Sequence, residues 1–392
     1  MIPTKPKNSI MQLLERYNQD TRTDKLNLTV GVYTDESGCC PILDSVRDAE
    51  YYRVSNQTHK ASFHLAGAPE FHQAVRKVLF SSTGNSLEDH VEVIQTIGCS
   101  GALYLAGQLI KYYAPTSSIW LSSPTWENHT ALLNSNVDHI RHYRYQPANQ
   151  EELCIDTMLE DLQFAQPGDF VLLHACCHNP TGMDPNLAGW RMLAEFCAER
   201  ELIPLFDFAY QGFAHSIEQD AEFLVPFSER LDTFMVCNSF SKNMGIYDER
   251  TGALTLVFKD ETKRADWHKT VKGLIRNTYS MPPVHGSFIV SHIINDPVRF
   301  SRWEQELTGM CNDLHRRRGA FFSELDRIGI ADQVLSYRKQ QGMFVCLNLS
   351  EEKIGLLRDA YGVYLLDTGR MCIASLSTAN MPRFCEILTK VI

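Results

Sequence analysis

Lys242 stands in Ser239-Phe240-Ser241-Lys242-Asn243, directly after the apolar run Phe234-Met235-Val236-Cys237. A short buried strand that ends in a hydroxyl-rich loop and presents one lysine is a seat for an amine that forms a Schiff base with an aldehyde cofactor. Alone, a lysine beside serines is more often a solvated surface residue. Other segments supply what such an amine needs. Asp207 closes the apolar run 203–208 and opens Asp207-Phe208-Ala209-Tyr210-Gln211-Gly212. A carboxylate at the end of a buried strand is costly unless a cation pairs with it, and a pyridinium N–H is such a cation. The alternative is an aspartate that caps the next element. Tyr210 adds a phenol that could hydrogen-bond a ring oxygen.

Gly98-Cys99-Ser100-Gly101 lies between an expected strand and an expected helix. Exposed amides at a helix start bind phosphate, and small residues let it approach. An ordinary tight turn would read the same way. No G-x-G-x-x-G fingerprint occurs and no P-loop lysine follows. His178-Asn179-Pro180-Thr181-Gly182 follows another apolar run, at the strand end where an open α/β sheet places ligands. His174, Cys176, Cys177 and His178 also raise the question of a metal. Strand alternation sends Cys177 away from the other three, so no metal is expected and the loop is read as presenting the Asn179 amide. Trp126, in Ser123-Pro124-Thr125-Trp126, offers a plane that could stack on a flat ring, although core packing is the commoner fate of a tryptophan. Arg250, Arg276 and Arg370 offer forks suited to carboxylates and phosphates, although each alone reads as a surface or structural arginine.

The elements that must position these residues alternate. Near-continuous apolar runs at 91–96, 118–121, 170–175, 203–208, 234–239 and 253–258 read as strands buried on both faces. Between them, Ala102, Leu105, Ala106 and Leu109 mark one helix, and Trp190, Leu193, Ala194 and Cys197 another, with Asp184-Pro185 as its cap and first turn. This predicts an α/β domain with a mostly parallel central sheet flanked by helices. After about residue 296 the pattern changes. Phe300, Trp303, Leu307, Met310, Cys311 and Leu314 mark one face of a long helix, 343–349 reads as a strand and 381–391 as a closing helix. The expected division is an N-terminal arm at 1–10, a smaller α+β domain from 11–40 with 311–392, and a large domain from 41–310.

The chain has 392 residues, enough for one large core and a smaller one. Its net charge of −10 argues against nucleic acid as the main partner. The N-terminus lacks a charged-then-apolar signal pattern and no apolar run is long enough to span a bilayer, so a soluble cytoplasmic protein is expected. The sequon-like Asn128-His129-Thr130 then carries no weight. None of the twelve cysteines forms a C-x-x-C pair. Two pairs are adjacent, Cys39-Cys40 and Cys176-Cys177, and the rest lie mainly in apolar segments; the cysteines read as buried reduced thiols.

Taken together, the Asn179, Asp207 and Lys242 segments resemble, in order and spacing, the aspartate aminotransferase family of pyridoxal-phosphate enzymes. The resemblance runs nearly end to end from Leu26-Asn27-Leu28, and Ile246-Tyr247-Asp248-Glu249-Arg250 resembles the family's cofactor-arginine segment. It implies fold type I and pyridoxal 5′-phosphate as cofactor. Lys242 would carry the cofactor as a Schiff base and then shuttle the substrate proton. Asp207 would pair with the pyridine nitrogen. Asn179 and Tyr210 would hydrogen-bond the ring 3′-oxygen, and Trp126 would stack on the ring. Gly98, Cys99, Ser100, Ser239 and Arg250 would hold the phosphate. Arg370 would grip the substrate α-carboxylate with Gly31 closing nearby, beside Trp126 and Asn179. Arg276 would reach a distal carboxylate from the neighbouring subunit of a homodimer with shared sites.

The sequence also departs from the family pattern. Ser62, between Ala61 and Phe63, stands where the family usually has a tyrosine that reaches the neighbour's cofactor phosphate, and a serine is too short for that contact. Thr34 replaces a usual lysine, Cys40 a threonine, Ala61 an asparagine, Ser100 a threonine and Met281 an asparagine. Most of these changes remove polar groups, and a less polar pocket penalises apolar side chains less. The expected reaction is ping-pong transamination between aspartate or glutamate, together with aromatic or other apolar amino acids, and 2-oxoacids such as 2-oxoglutarate. A strict aspartate aminotransferase is the alternative. A lyase or decarboxylase on the same scaffold is opposed by two arginines suited to two carboxylates. A non-catalytic relative is opposed by the intact lysine and the lack of a basic DNA-binding segment.

Overall fold

A computed structural model of the chain describes residues 10–83, 87, 89–134, 137, 139–147 and 152–392. The arm expected at 1–10 lies outside the described residues except for Ile10, which opens the helix Ile10–Gln19.

The strands are β1 (Leu26–Asn27), β2 (Val91–Ile97), β3 (Ile119–Ser123), β4 (Ile140–Arg144), β5 (Phe170–His174), β6 (Ile203–Phe208), β7 (Thr233–Ser239), β8 (Thr251–Phe258), β9 (Phe344–Cys346), β10 (Val363–Tyr364) and β11 (Arg370–Cys372). Seven form one sheet in the order β2-β8-β7-β6-β5-β3-β4. β7, β6, β5, β3 and β4 run parallel, while β8 is antiparallel to both β2 and β7. The sheet is therefore mostly parallel, as expected, and every strand foreseen in it is present within two residues at each end. Helices cover its faces, so its central strands are buried throughout and read as unbroken apolar runs. β4 was not foreseen. In Ile140–Arg144 only Tyr143 is buried, and Arg141 and Arg144 point out from an edge, which discourages further strand pairing.

Two expectations change in detail. The helix Leu187–Glu199 is capped by Asn186, whose side chain accepts from the Gly189 amide. Asp184 instead accepts the amides of Cys177 and His178 and so stiffens the loop that precedes Asn179. The strand expected at 343–349 shrinks to Phe344–Cys346, because the Cys346 amide turns to the Gln340 side chain and the Leu347 amide to the Gly369 carbonyl.

The N-terminal segment is sewn to the C-terminal part. β1 pairs in parallel with β10, β9 pairs with β11, and the Cys372 amide donates to the Leu28 carbonyl. The helix Pro297–Arg327 starts at Asp296, whose carboxylate accepts two first-turn amides. Near its start, the Trp303 indole donates to the Asn243 carbonyl, one residue beyond Lys242. Farther along, Arg317 donates to the carbonyls of Ala374 and Leu376. One helix thus reaches from the lysine loop to the C-terminal unit. Cys39 and Cys40 are exposed, unlike the buried thiols expected, because they lie in the loop ahead of the helix Asp44–Asn56. No helix among the described residues is long and apolar enough to cross a membrane.

Candidate active site

The C-terminal ends of β5, β6 and β7 converge, and each delivers one of the segments singled out above. β7 ends at Ser239, whose hydroxyl accepts the Ser241 amide, and the turn presents Lys242. The Lys242 amine lies 4.4 Å from the centre of the Tyr210 ring. Partial burial pulls this amine below the usual lysine range, with the Asp207 charge opposing.

Asp207, in β6, is buried and accepts hydrogen bonds on both oxygens: His129 donates to Oδ2 at 2.9 Å and the Cys99 thiol to Oδ1 at 3.1 Å. Burial pushes this carboxyl up, but the hydrogen bond and charge of His129, then the charge of His174, then the Cys99 thiol hold it at about 2. The partner that a buried carboxylate needs is therefore supplied in part by the protein. Thr125 fixes this arrangement, since its hydroxyl lies 2.8 Å from His129 Nδ1 and 3.1 Å from His174 Nε2. Burial and the neighbouring His129 charge push His174 down to about 3, so it is neutral near pH 7. Trp126 stands edge-on to His129 with ring centres 5.1 Å apart.

His178 is not free to bind a metal, because its ring nitrogens meet the hydroxyls of Ser122 and Thr181. The single cluster of three potential metal ligands among the described residues, Glu50, Glu249 and His285, includes none of the four side chains considered above.

Arg370 opens β11 and is 3% exposed. Its Nη1 donates to Asn179 Oδ1 at 3.1 Å, its Nη2 to the Thr29 carbonyl at 2.6 Å, and its guanidinium lies over the Phe344 ring. Among the described residues its Nε has no hydrogen-bond partner and no carboxylate forms an ion pair with it. With Asn179 Oδ1 turned to Arg370, the Asn179 NH₂ is left to donate elsewhere. Gly31 lies against the same Phe344; a Cβ there would come within 2.6 Å of the ring. Phe344 in turn stands edge-on to Tyr210, which completes a chain of contacts from Arg370 to Lys242.

The helix Gly98–Tyr113 begins where β2 ends, with Cys99 and Ser100 in its first turn. Gly98 has φ 73°, and a Cβ there would lie 2.6 Å from Arg250 Nη2. The Arg250 guanidinium thus lies against the start of the helix, whose first amides have no partner within the helix, with Arg250 itself in the left-handed region at φ 50°. Among the described residues the buried Ser241 hydroxyl has no hydrogen-bond partner. Free amides, an arginine and an orphaned hydroxyl fit a phosphate. The half-buried amine and the hydrogen-bonded carboxylate fit the aldehyde and ring nitrogen of pyridoxal 5′-phosphate.

Arg276 stands apart. It is exposed in the last turn of the helix Glu261–Thr278, and its guanidinium donates to Ser280. His129, Phe344, Thr125 and the Thr29 carbonyl were not foreseen. The only available signal was the spacing of Trp126 and His129, three apart at a helix start.

A fold of this topology, with an amine and a carboxylate on neighbouring strand ends, defines an α/β enzyme of the fold-type-I pyridoxal-phosphate class. The family model for aminotransferase class I and II matches residues 23–388. The chain is 38% identical to an aspartate aminotransferase of Escherichia coli over 100% of this chain and 99% of that protein. It is 37% identical to an aromatic-amino-acid aminotransferase of Pseudomonas aeruginosa over 98% and 97% of the two chains. A solved aromatic-amino-acid aminotransferase from Burkholderia pseudomallei, covalently bound to pyridoxal phosphate, superposes with a TM-score of 0.92 at 34% identity, over 100% of this chain and 98% of that one. The chain belongs to the class I and II aminotransferases.

Proposed function

We propose that this protein catalyses pyridoxal-phosphate-dependent ping-pong transamination between aspartate or glutamate, and also aromatic or other apolar amino acids, and 2-oxoacids such as 2-oxoglutarate. The observation that carries this reading is Arg370: a buried guanidinium with no acidic partner among the described residues, an Nε without a hydrogen-bond partner there, and a line of contacts leading through Phe344 and Tyr210 to the Lys242 amine. A buried cation left this way calls for an anion from outside the chain, and the substrate α-carboxylate is that anion. When bound, pyridoxal 5′-phosphate supplies a carbonyl that takes up the amino group and a ring that withdraws electrons from the substrate α-carbon.

The chain's own residues do the rest. Lys242 would hold the cofactor through Nζ, and the same amine would move the proton at the substrate α-carbon. Its lowered proton affinity suits both directions of that transfer. Asp207 would pair with the ring nitrogen and keep it protonated, and Asn179 and Tyr210 would bind the ring oxygen. Trp126 covers the ring. The amides of Gly98, Cys99 and Ser100, with Ser239 and Arg250, hold the phosphate. Arg370 orients the α-carboxylate and excludes water together with Phe344 and Gly31.

The broad substrate range rests on the polar groups missing from the cleft. Thr34 spends its hydroxyl on the Ala374 carbonyl at 2.8 Å rather than offering it to a ligand. Both aspartate and aromatic aminotransferases stand among the similar proteins. The test compares kcat/KM for aspartate, tyrosine, phenylalanine and methionine. Measurable turnover of all four supports the broad reading, and aromatic rates lower than aspartate by several orders of magnitude contradict it in favour of a strict aspartate enzyme.

We also propose a homodimer with shared sites, resident in the cytoplasm. Tyr51, Val54 and Phe63 are 66%, 76% and 86% exposed on and just after the helix Asp44–Asn56, an apolar surface suited to a second copy. Phe63 adjoins Ser62, so that same face carries the position whose shortened side chain leaves the phosphate grip weaker or bridged by water. Arg276, exposed and hydrogen-bonded to Ser280 rather than to the residues around Lys242, then serves the neighbouring subunit. Arg276→Leu should lower kcat/KM for aspartate and glutamate by about tenfold to a hundredfold, the worth of a charged hydrogen bond, while leaving phenylalanine nearly unchanged. Equal losses for all substrates would contradict its role. The proposed division into 11–40 with 311–392 and 41–310 places the small-domain boundary inside the helix Pro297–Arg327, which makes that helix the lever between the two parts.

A further inference from the structure

We infer that Cys99 is a positioning residue whose thiol is the second donor that fixes the Asp207 carboxylate for the cofactor ring nitrogen. The inference rests on the reading that Asp207 pairs with that nitrogen. The Cys99 backbone amide belongs to the phosphate cradle, but its side chain points elsewhere. The sulfur lies 3.1 Å from Asp207 Oδ1 and 3.2 Å from the Cys237 carbonyl oxygen. A thiol has one proton, and of these two acceptors the ionised carboxylate is the stronger. His129 already donates to Oδ2.

The carboxylate is therefore clamped at both oxygens by two different elements. One is the first turn of the helix Gly98–Tyr113, and the other is the helix Glu127–Asn134. Asp207 cannot turn about its own axis without breaking one of the two bonds. Cys99 and Asp207 are each only 8% exposed, so water is poorly placed to replace a lost thiol donor.

The consequence is electronic as well as geometric. Donation to Oδ1 draws charge from the carboxylate and makes it a weaker base. A proton shared between Asp207 and a ring nitrogen then stays on the ring, which keeps the ring electron-poor and lowers the proton affinity of the lysine–cofactor linkage. Without the thiol, the proton moves toward Asp207 and that affinity rises.

The experiment is a pH titration of the visible absorption band of the holoprotein in wild type, Cys99→Ala and Cys99→Ser. Cys99→Ala should move the midpoint to higher pH by about half a unit, the size expected of one weak hydrogen bond. Cys99→Ser keeps an O–H donor and should bring the midpoint back toward wild type. A midpoint unmoved within about 0.1 unit, a move to lower pH, or a shift that serine fails to reverse overturns the inference. A packing defect alone would lower the melting temperature without a serine-reversible shift of the midpoint. Loss of the band in wild type would overturn the cofactor assignment and this inference with it. A normal band with an unmoved midpoint overturns this inference alone.

Discussion

Lys242→Ala should lower kcat for every amino-acid substrate by ~10⁴-fold or more, because it removes both the covalent seat of the cofactor and the group that moves the substrate proton. The fold should survive the change. Among the described residues the amine makes no hydrogen bond, and it lies over the face of Tyr210. The neighbouring anchors do not depend on it, since Phe240 is buried in the core and the Asn243 carbonyl is held by Trp303. A melting temperature near wild type with rates at background is the expected pair of results. An alanine variant that retains a tenth of the wild-type kcat would show that another group moves the proton. Because Lys242 acts as a base, small exogenous amines should restore part of the rate, in proportion to their basicity.

Arg370→Leu should reduce kcat/KM by ~30- to several-thousand-fold for all substrates alike, as expected when one partner of a buried, hydrogen-bonded charge pair is truncated. The uniformity is the informative part, since every α-amino acid carries the α-carboxylate whereas only some carry a second one. Arg370→Lys should recover little, because an ammonium cannot reproduce a fork that reaches Asn179, the Thr29 carbonyl and a carboxylate at once. The same change strands Asn179 Oδ1 and the Thr29 oxygen, so a fall in melting temperature of the apoprotein is also expected. A loss confined to aspartate and glutamate would exchange the proposed roles of Arg370 and Arg276.

The large sheet was legible in the sequence because its strands are buried on both faces and carry little but apolar side chains. β4 was not, because an edge strand with two arginines and a histidine in five residues has no such run. The two-residue pair of β1 and β10 is too short to leave a pattern, yet it ties residue 26 to residue 363. Within the site, residues that act through their own chemistry stood out: a lysine among serines, an aspartate closing a strand, an asparagine in a proline turn. Residues that act on other residues did not. His129 lay in a stretch noticed only for its sequon-like spacing, and nothing local says that it reaches Asp207 across 78 positions. Phe344 read as an ordinary strand apolar, although it supports Arg370, Gly31 and Tyr210 together. Asp184 reads as a helix cap because Asp-Pro has that form, but its carboxylate accepts the amides of Cys177 and His178 while Asn186 caps the helix. Such partnerships depend on the register of separate strands, which periodicity within one segment does not carry.

The central claim, that one particular amine seats the cofactor, is open to direct chemical reading. Protein loaded with pyridoxal 5′-phosphate is reduced with borohydride, digested, and its peptides weighed. The account requires a stable cofactor-derived mass on the peptide containing Lys242, absent after Lys242→Ala. A label on a different lysine, or none on a protein that still turns over amino acids, would contradict it.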